Sequence, residues 1–358
     1  MSGMLPRLEQ AVRSGPLAVE SLLAATTFPH VEGRTVTFVF RGEAQEVTLQ
    51  HWIHGLPGAL PFRRLRPGDL WALQIDLPPG SRMEYKIGVV QHGRGALLRD
   101  PLNDHAARDP FGANSVVYGD GYAPPDWVLE DADARKGSIE DRSIDSRVFD
   151  GPRPIKVYLP ARFRQSRRYP LLVVHDGFDF LQFAALHQVL DNLIHRLEIP
   201  PLVAALTQPD ERGREYAADP RHAEYLVAEL VPQLERLYPL VKQPAARGLL
   251  GASFGAVASL HAAWRHPGFF GKLLLQSGSF VFTEIGAHDR GPMFDPVVEF
   301  VNAFRRQPGK PAEQVFQSCG VYESLIYYNR SLVPLLQDTG MTVRYREAND
   351  GHNWENWR

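Results

Sequence analysis

From Thr35 to about Tyr118, apolar and polar positions alternate in short runs. Val36, Phe38 and Phe40 do so in TVTFVFRG, Val47 and Leu49 in EVTLQ, and LWALQIDLP and MEYKIGVV follow. A period of two puts one set of side chains on one face, so these runs are predicted to be half-buried strands. Gly and Pro punctuate them at Gly55–Leu56–Pro57–Gly58, Pro67–Gly68 and Pro78–Pro79–Gly80. Such spacing fits an antiparallel sandwich. The first thirty residues read as a helical lead-in. DGYAPPDWVLEDADARKGS, dense in proline and charge, reads as a linker, so the chain divides into residues 1–135 and 136–358.

The texture changes from about Ser143. SRVFDG and PIKVYLPA read as a hairpin. Continuous apolar runs then follow in YPLLVVHDG, PPLVAALTQ, ARGLLGASFG, GKLLLQSGS, QVFQSCG and TVRYREAN. Between them lie stretches with helical spacing, among them AEYLVAELVPQLERLYP, ASLHAAWRHP and ESLIYYNRSLVPLLQDTG. Strands that are apolar throughout are covered on both faces. Strand–helix alternation therefore predicts a doubly wound α/β domain with a mainly parallel sheet.

Composition narrows the class. With 358 residues, 44% hydrophobic and 22% charged, the chain can bury more than one core. The formal net charge is −2 and the basic residues are scattered, which argues against nucleic acid as a partner. No run approaches the roughly 20 apolar residues of a membrane helix. The N-terminal segment lacks an apolar core followed by a cleavage site, so a cytoplasmic protein is expected. Cys319 is the single cysteine, which rules out an intrachain disulfide. Homo-oligomerisation stays open.

The strongest chemical signal is Gly251–Ala252–Ser253–Phe254–Gly255, set between the strand-like RGLL and the helical VASLHAAWRH. A tight strand-to-helix turn strains the serine backbone and needs glycine at the close flanking positions. It also sets the hydroxyl at a helix N-terminus, where developing negative charge is favoured. The alternative is a glycine-rich turn with an incidental serine. Ser253 as nucleophile needs a base later in the chain, after an acid. His352, in Asn349–Asp350–Gly351–His352–Asn353–Trp354, directly follows the last strand-like run. Glu323 sits just past the end of QVFQSCG and is the expected acid, with Asp295, Asp338 and Asp350 as competitors. One oxyanion donor is the Phe254 N–H, and the second is Gly177 or Phe178 in His175–Asp176–Gly177–Phe178. Asp176 either braces that loop or simply forms a turn. No metal or cofactor enters this chemistry.

On these residues the chain resembles the enterochelin esterase family and, more broadly, the esterase-D-like esterases. Four segments carry the resemblance: the HDG turn at His175–Gly177, the GASFG elbow, GVYE with Glu323 and the later Asn329, and the closing DGHNWENWR. It covers most of residues 140–358. The first half is similar to the N-terminal immunoglobulin-like domain of those enzymes, through TFVFRG, the Trp71 region, GSRMEYKI and Asp100–Pro101–Leu102–Asn103. The resemblance implies an α/β-hydrolase domain preceded by an immunoglobulin-like β-sandwich, acting on small-molecule esters, siderophore-type esters among them. It points to Arg214, with Arg212, and to Trp354 as substrate-binding candidates. Family members continue past the Trp–Arg pair into a last helix, whereas this sequence stops at Arg358, so that helix is expected to be missing or replaced.

The reading is a serine carboxylic-ester hydrolase working through an acyl-enzyme. The alternatives are a carbohydrate esterase (feruloyl or acetyl) with a glycan-binding N-terminal module, and a non-catalytic binding protein on the same fold. The N-terminal module is expected to help select substrate, with a purely stabilising or oligomerising role as the competing expectation.

Overall fold

A computed structural model describes residues 3–283 and 289–358. The chain forms two compact units. One comprises Met1–Pro124 with Val321–Ser324 and Ala348–Asn353; the other comprises Pro125–Gly320, Leu325–Glu347 and Trp354–Arg358. The proline-rich connection travels with the second unit because Asn192 Nδ2 donates to the carbonyls of Trp127 and Leu129, both at 2.8 Å.

The second unit is built on one eight-stranded sheet. Its strands are β1 (Ser138–Ser146), β2 (Gly151–Leu159), β3 (Leu171–Val174), β4 (Val203–Thr207), β5 (Arg247–Ala252), β6 (Lys272–Gln276), β7 (Gln314–Gly320) and β8 (Thr342–Ala348). Their order across the sheet is β1-β2-β4-β3-β5-β6-β7-β8. The first two steps are antiparallel, and β4 through β7 run parallel. Burial explains the sequence pattern: β4, VAALT, is buried at every position, whereas the edge strand β8 leaves every residue at least partly exposed. The sheet and its helices share a large core that includes Val173, Leu249, Val257, Leu260, Val301 and Leu332.

The stretch AEYLVAELVPQLERLYP forms three consecutive helical segments, Pro220–Glu224, a wider π turn at Tyr225–Leu230, and Val231–Leu237. Pro232 explains the break, since it has no N–H to give to the preceding turn and its ring crowds the carbonyl there.

His261 lies in the helix Phe254–Arg265, its ring edge-on to Phe300 with centroids 4.9 Å apart. Burial lowers its pKa to about 4. Unfolded, the ring takes up a proton near pH 6.5. Between these values the unfolded state binds more protons, so this group's contribution is intact above pH 6.5 and is lost as pH falls toward 4. His261→Gln is therefore expected to show a smaller drop in Tm between pH 7 and 4.5 than wild type, by several degrees in a thermal melt series. Equal drops would show that the buried ring does not carry this cost.

The first unit contains a four-stranded and a six-stranded antiparallel sheet. Strands Thr35–Arg41 and Leu70–Asp76 of one, and Glu46–His51 and Arg82–Gln91 of the other, contribute to a single core. There Phe38 meets Tyr85 edge-on at 4.9 Å. The Tyr85 hydroxyl donates to Asp100 at 2.7 Å and accepts from Asn103 Nδ2 at 2.9 Å, which ties down the Asp100–Asn103 turn. The lead-in forms helices Met4–Ser14 and Pro16–Ala24, whose Met4, Leu8 and Val19 join Val39, Leu65 and Leu70 in a second small core. Among the described residues no helix is long and apolar enough to cross a membrane.

Candidate active site

Ser253 stands between β5 and the helix Phe254–Arg265 with φ 58° and ψ −120°. A non-glycine residue held there costs on the order of 1–3 kcal/mol, which the packing around it must offset. The need for glycine at 251 is steric: a Cβ there would overlap the carbonyl of Gly255. The Ser253 N–H donates to the carbonyl of Gln276 at 2.9 Å, fastening the turn to the end of β6.

The adjacent strand end supplies the neighbouring loop. β3 and β5 pair in parallel with Val174 opposite Leu250, and the His175 N–H donates to the Leu250 carbonyl at 2.9 Å. The chain turns at Asp176, whose φ is 52°, into the helix Gly177–Phe183. A Cβ on Gly177 would lie 2.5 Å from Leu206 Cα, so only glycine lets this turn sit against β4. Phe254, Gly177 and Phe178 thus all lie in first helical turns, whose N–H groups have no acceptor within the helix. This is the donor arrangement that suits an oxyanion.

A buried polar network supports the turn at Asp176. Arg212 holds the Asp176 carboxylate with two hydrogen bonds of 2.9 and 2.8 Å. The Tyr216 hydroxyl accepts from the Asp176 N–H at 3.2 Å. Burial pushes the Asp176 carboxyl upward and Arg212 pulls it back. Behind it the Nε2 atoms of His175 and His222 share a hydrogen bond of 3.0 Å, and burial pushes both rings down, His175 to about 4. Both rings are thereby held neutral near pH 7, and one of them donates. Arg212 is thus a brace of the loop. Arg214 is exposed and pairs with Glu211 at 3.4 Å.

Glu323 follows β7, and His352 follows β8. The structure brings these two together: His352 Nδ1 donates to Glu323 Oε2 at 2.7 Å. Glu323 is buried while the imidazole is exposed, an arrangement in which a carboxylate fixes the tautomer and leaves the second ring nitrogen for proton transfer. The carboxylate of Asp350 is engaged elsewhere, accepting from the Gly351 N–H and Asn353 Nδ2 at 2.7 Å each. Asp338 closes the helix Ile326–Asp338 and Asp295 opens the helix Asp295–Arg306. Trp354 packs against Phe180, Phe183 and Trp357, with centroids 5.3, 5.8 and 5.1 Å away.

Ser279 and Asn329 also stand close to the elbow. Ser279 Oγ lies 3.2 Å from Ser253 Oγ, and the Ser279 N–H donates to the Ser253 carbonyl at 3.2 Å. Asn329, noted only as part of a motif, is fully buried. It donates to the carbonyls of Gly278 and Leu325 and accepts from the Gly278 N–H. It thereby fixes the backbone next to Ser279. The signal for Ser279 was its place just past a parallel strand, at the sheet edge where such folds build their sites.

The family model described as "Putative esterase" matches residues 146–358. The chain is 28% identical over 193 residues to the iron(III) enterobactin esterase of Escherichia coli O6:H1 (strain CFT073), covering 53% of this chain and 47% of that protein. It thus spans about half the length of that curated relative. The ferric enterobactin esterase structure from Salmonella typhimurium superposes with a TM-score of 0.78 at 19% identity, covering 94% of this chain and 96% of that one. A ferulic acid esterase from Anaeromyces mucronatus superposes with a TM-score of 0.53 at 16% identity, covering 65% and 91%. At such identities these structures speak for the fold.

Proposed function

Because the chain belongs to this esterase family, we propose that it is a serine carboxylic-ester hydrolase with Ser253, His352 and Glu323 as its triad. The observation that carries the reading is the His352 imidazole bonded to the buried Glu323 carboxylate, in a chain that also holds a strained serine elbow at Ser253. Ser253 Oγ attacks the ester carbonyl as His352 Nε2 takes its proton. The tetrahedral oxyanion is held by the N–H of Phe254 and that of Gly177 or Phe178. Collapse expels the alcohol, which receives the proton from His352. Water, activated by the same imidazole, then releases the acid and frees the serine. We read the N-terminal sheets as an immunoglobulin-like sandwich.

The substrate in this proposal is a siderophore-type ester, in keeping with the enterobactin esterase relatives. Purified protein should be offered aryl acetates, ferric and iron-free trilactone siderophores, and feruloyl sugars. Turnover of aryl acetates and trilactones, with feruloyl sugars at least about tenfold slower in kcat/KM, is the expected result; one methylene or ring contact can shift specificity that far. A preference for feruloyl sugars would move the protein to the carbohydrate esterases, and no turnover of any ester would overturn the enzymatic reading.

A further inference from the structure

Arg82 begins the strand Arg82–Gln91 and its side chain is fully buried. Its guanidinium reaches residues on both sides of His352. Nη1 donates to Asn353 Oδ1 at 3.0 Å and to Asp350 Oδ1 at 3.3 Å. Nη2 donates to Glu84 Oε1 at 2.8 Å, and Glu84 is itself held by Asn114 Nδ2 at 2.7 Å. Asp350 and Asn353 are also bonded to each other at 2.7 Å, so the four-residue turn is closed at its base by one cation. The main chain repeats the tie, since the Arg82 N–H donates to the Asn349 carbonyl at 2.9 Å.

The Glu323 segment is secured to the same place. The hydroxyls of Ser81 and Tyr322 share a hydrogen bond of 2.5 Å, and the His54 N–H donates to the Tyr322 carbonyl at 2.8 Å. The Tyr322 N–H donates in turn to the Asp350 carbonyl at 3.1 Å. Residues adjoining the acid and the base are therefore joined to each other, to the start of the strand Arg82–Gln91 and to His54.

A buried arginine between two carboxylates is a poor way to gain stability, since desolvation offsets most of the attraction and apolar replacements often serve as well. A planar, multi-donor guanidinium is well suited to fixing geometry. Burial outweighs the downward pull of Arg82 and leaves the Asp350 carboxyl raised to about 6, still charged at neutral pH to grip the turn.

We infer that Arg82 is a positioning residue for the general base: by holding Asp350 and Asn353, it fixes the His352 imidazole against Glu323. The N-terminal sheets thereby act on the chemical step. This inference rests on the reading of His352 as the base.

The test uses the full chain with Arg82→Met, Arg82→Lys and Asn353→Ala, and with Ser253→Ala and His352→Ala as references. Steady-state hydrolysis of an aryl acetate, thermal melts, and the low-field proton signal of the His352 Nδ1–H are measured on each. The signal is assigned by its absence in His352→Ala. Arg82→Met is expected to lower kcat about 100-fold with KM within about threefold, the scale of a small misplacement of a reacting group. Its Nδ1 proton signal should shift or broaden. Arg82→Lys should recover about a tenth of wild-type kcat, because a point charge replaces only part of the fork. Asn353→Ala, which leaves the Arg82–Asp350 pair, should lose about tenfold, because it removes the Asn353 side-chain bonds to Arg82 and Asp350. A folded Arg82→Met with wild-type kcat, or a loss confined to KM, overturns the inference. Should Arg82→Met fail to fold, Asn353→Ala decides: unchanged kcat and an unchanged proton signal overturn it. Full activity in His352→Ala would instead bring down the assignment of the base, and the inference with it.

Discussion

Replacing Ser253 by alanine is expected to lower kcat/KM for an aryl ester by at least about ten-thousandfold, leaving only what binding and the oxyanion donors supply. The hydroxyl is the atom that forms the acyl bond, and no other group at the elbow can replace it. The fold should survive. Ser253 Oγ contacts Ser279 Oγ at 3.2 Å, and the strained φ of 58° is tolerated by alanine no worse than by serine. The Tm should therefore stay within a few degrees of wild type. Retained turnover with an intact fold would show that the chemistry lies elsewhere.

His352→Ala should cost nearly as much as loss of the serine, because residues of a triad act as one unit. Glu323→Gln is expected to be severe but milder. The glutamine cannot accept the Nδ1–H with its amide nitrogen, and the imidazolium formed on attack loses its buried counter-charge. A loss between about a hundredfold and ten-thousandfold in kcat, with KM little changed, is the expected range. The pairing at 2.7 Å with a buried carboxylate makes this the acid variant with the larger effect; Asp295→Asn and Asp338→Asn should be close to wild type. Comparison of kcat for the three aspartate or glutamate variants under saturating aryl ester checks this directly. A Glu323→Gln enzyme indistinguishable from wild type would return the acid to those aspartates.

What could be read from the sequence followed from how far burial marks a residue. β3, β4 and β5 are legible because strands covered on both faces carry uninterrupted apolar runs. The elbow is legible because its glycines are imposed by backbone overlap, a local requirement. The pairing of Glu323 with His352 could be anticipated only from chain order, since 29 residues separate them. The sequence pattern hides most of β1: SIEDRSIDS begins at Ser138, eight residues before SRVFDG, the stretch read as the first arm of the hairpin, and residues 147–150 of that stretch form the turn. An edge strand carries charge that hides its period, and Glu140, Asp141 and Arg142 do so here. Arg82 was invisible for a related reason. A single arginine in a strand reads as a surface residue, and its burial depends on partners remote in sequence, Asp350 lying 268 residues away. The bond from Arg212 to Asp176 was equally hidden, because the two lie 36 residues apart.

Covalent trapping tests the assignment of Ser253 as the nucleophile most directly. Wild-type protein is treated with an aryl fluorophosphonate, its intact mass is measured, and the modified peptide is sequenced by mass spectrometry. One equivalent should add, on Ser253 alone, in step with loss of esterase activity. Ser253→Ala should take up none, and His352→Ala should react far more slowly. Stoichiometric labelling at another residue, or full inhibition with Ser253 unmodified, would contradict the account.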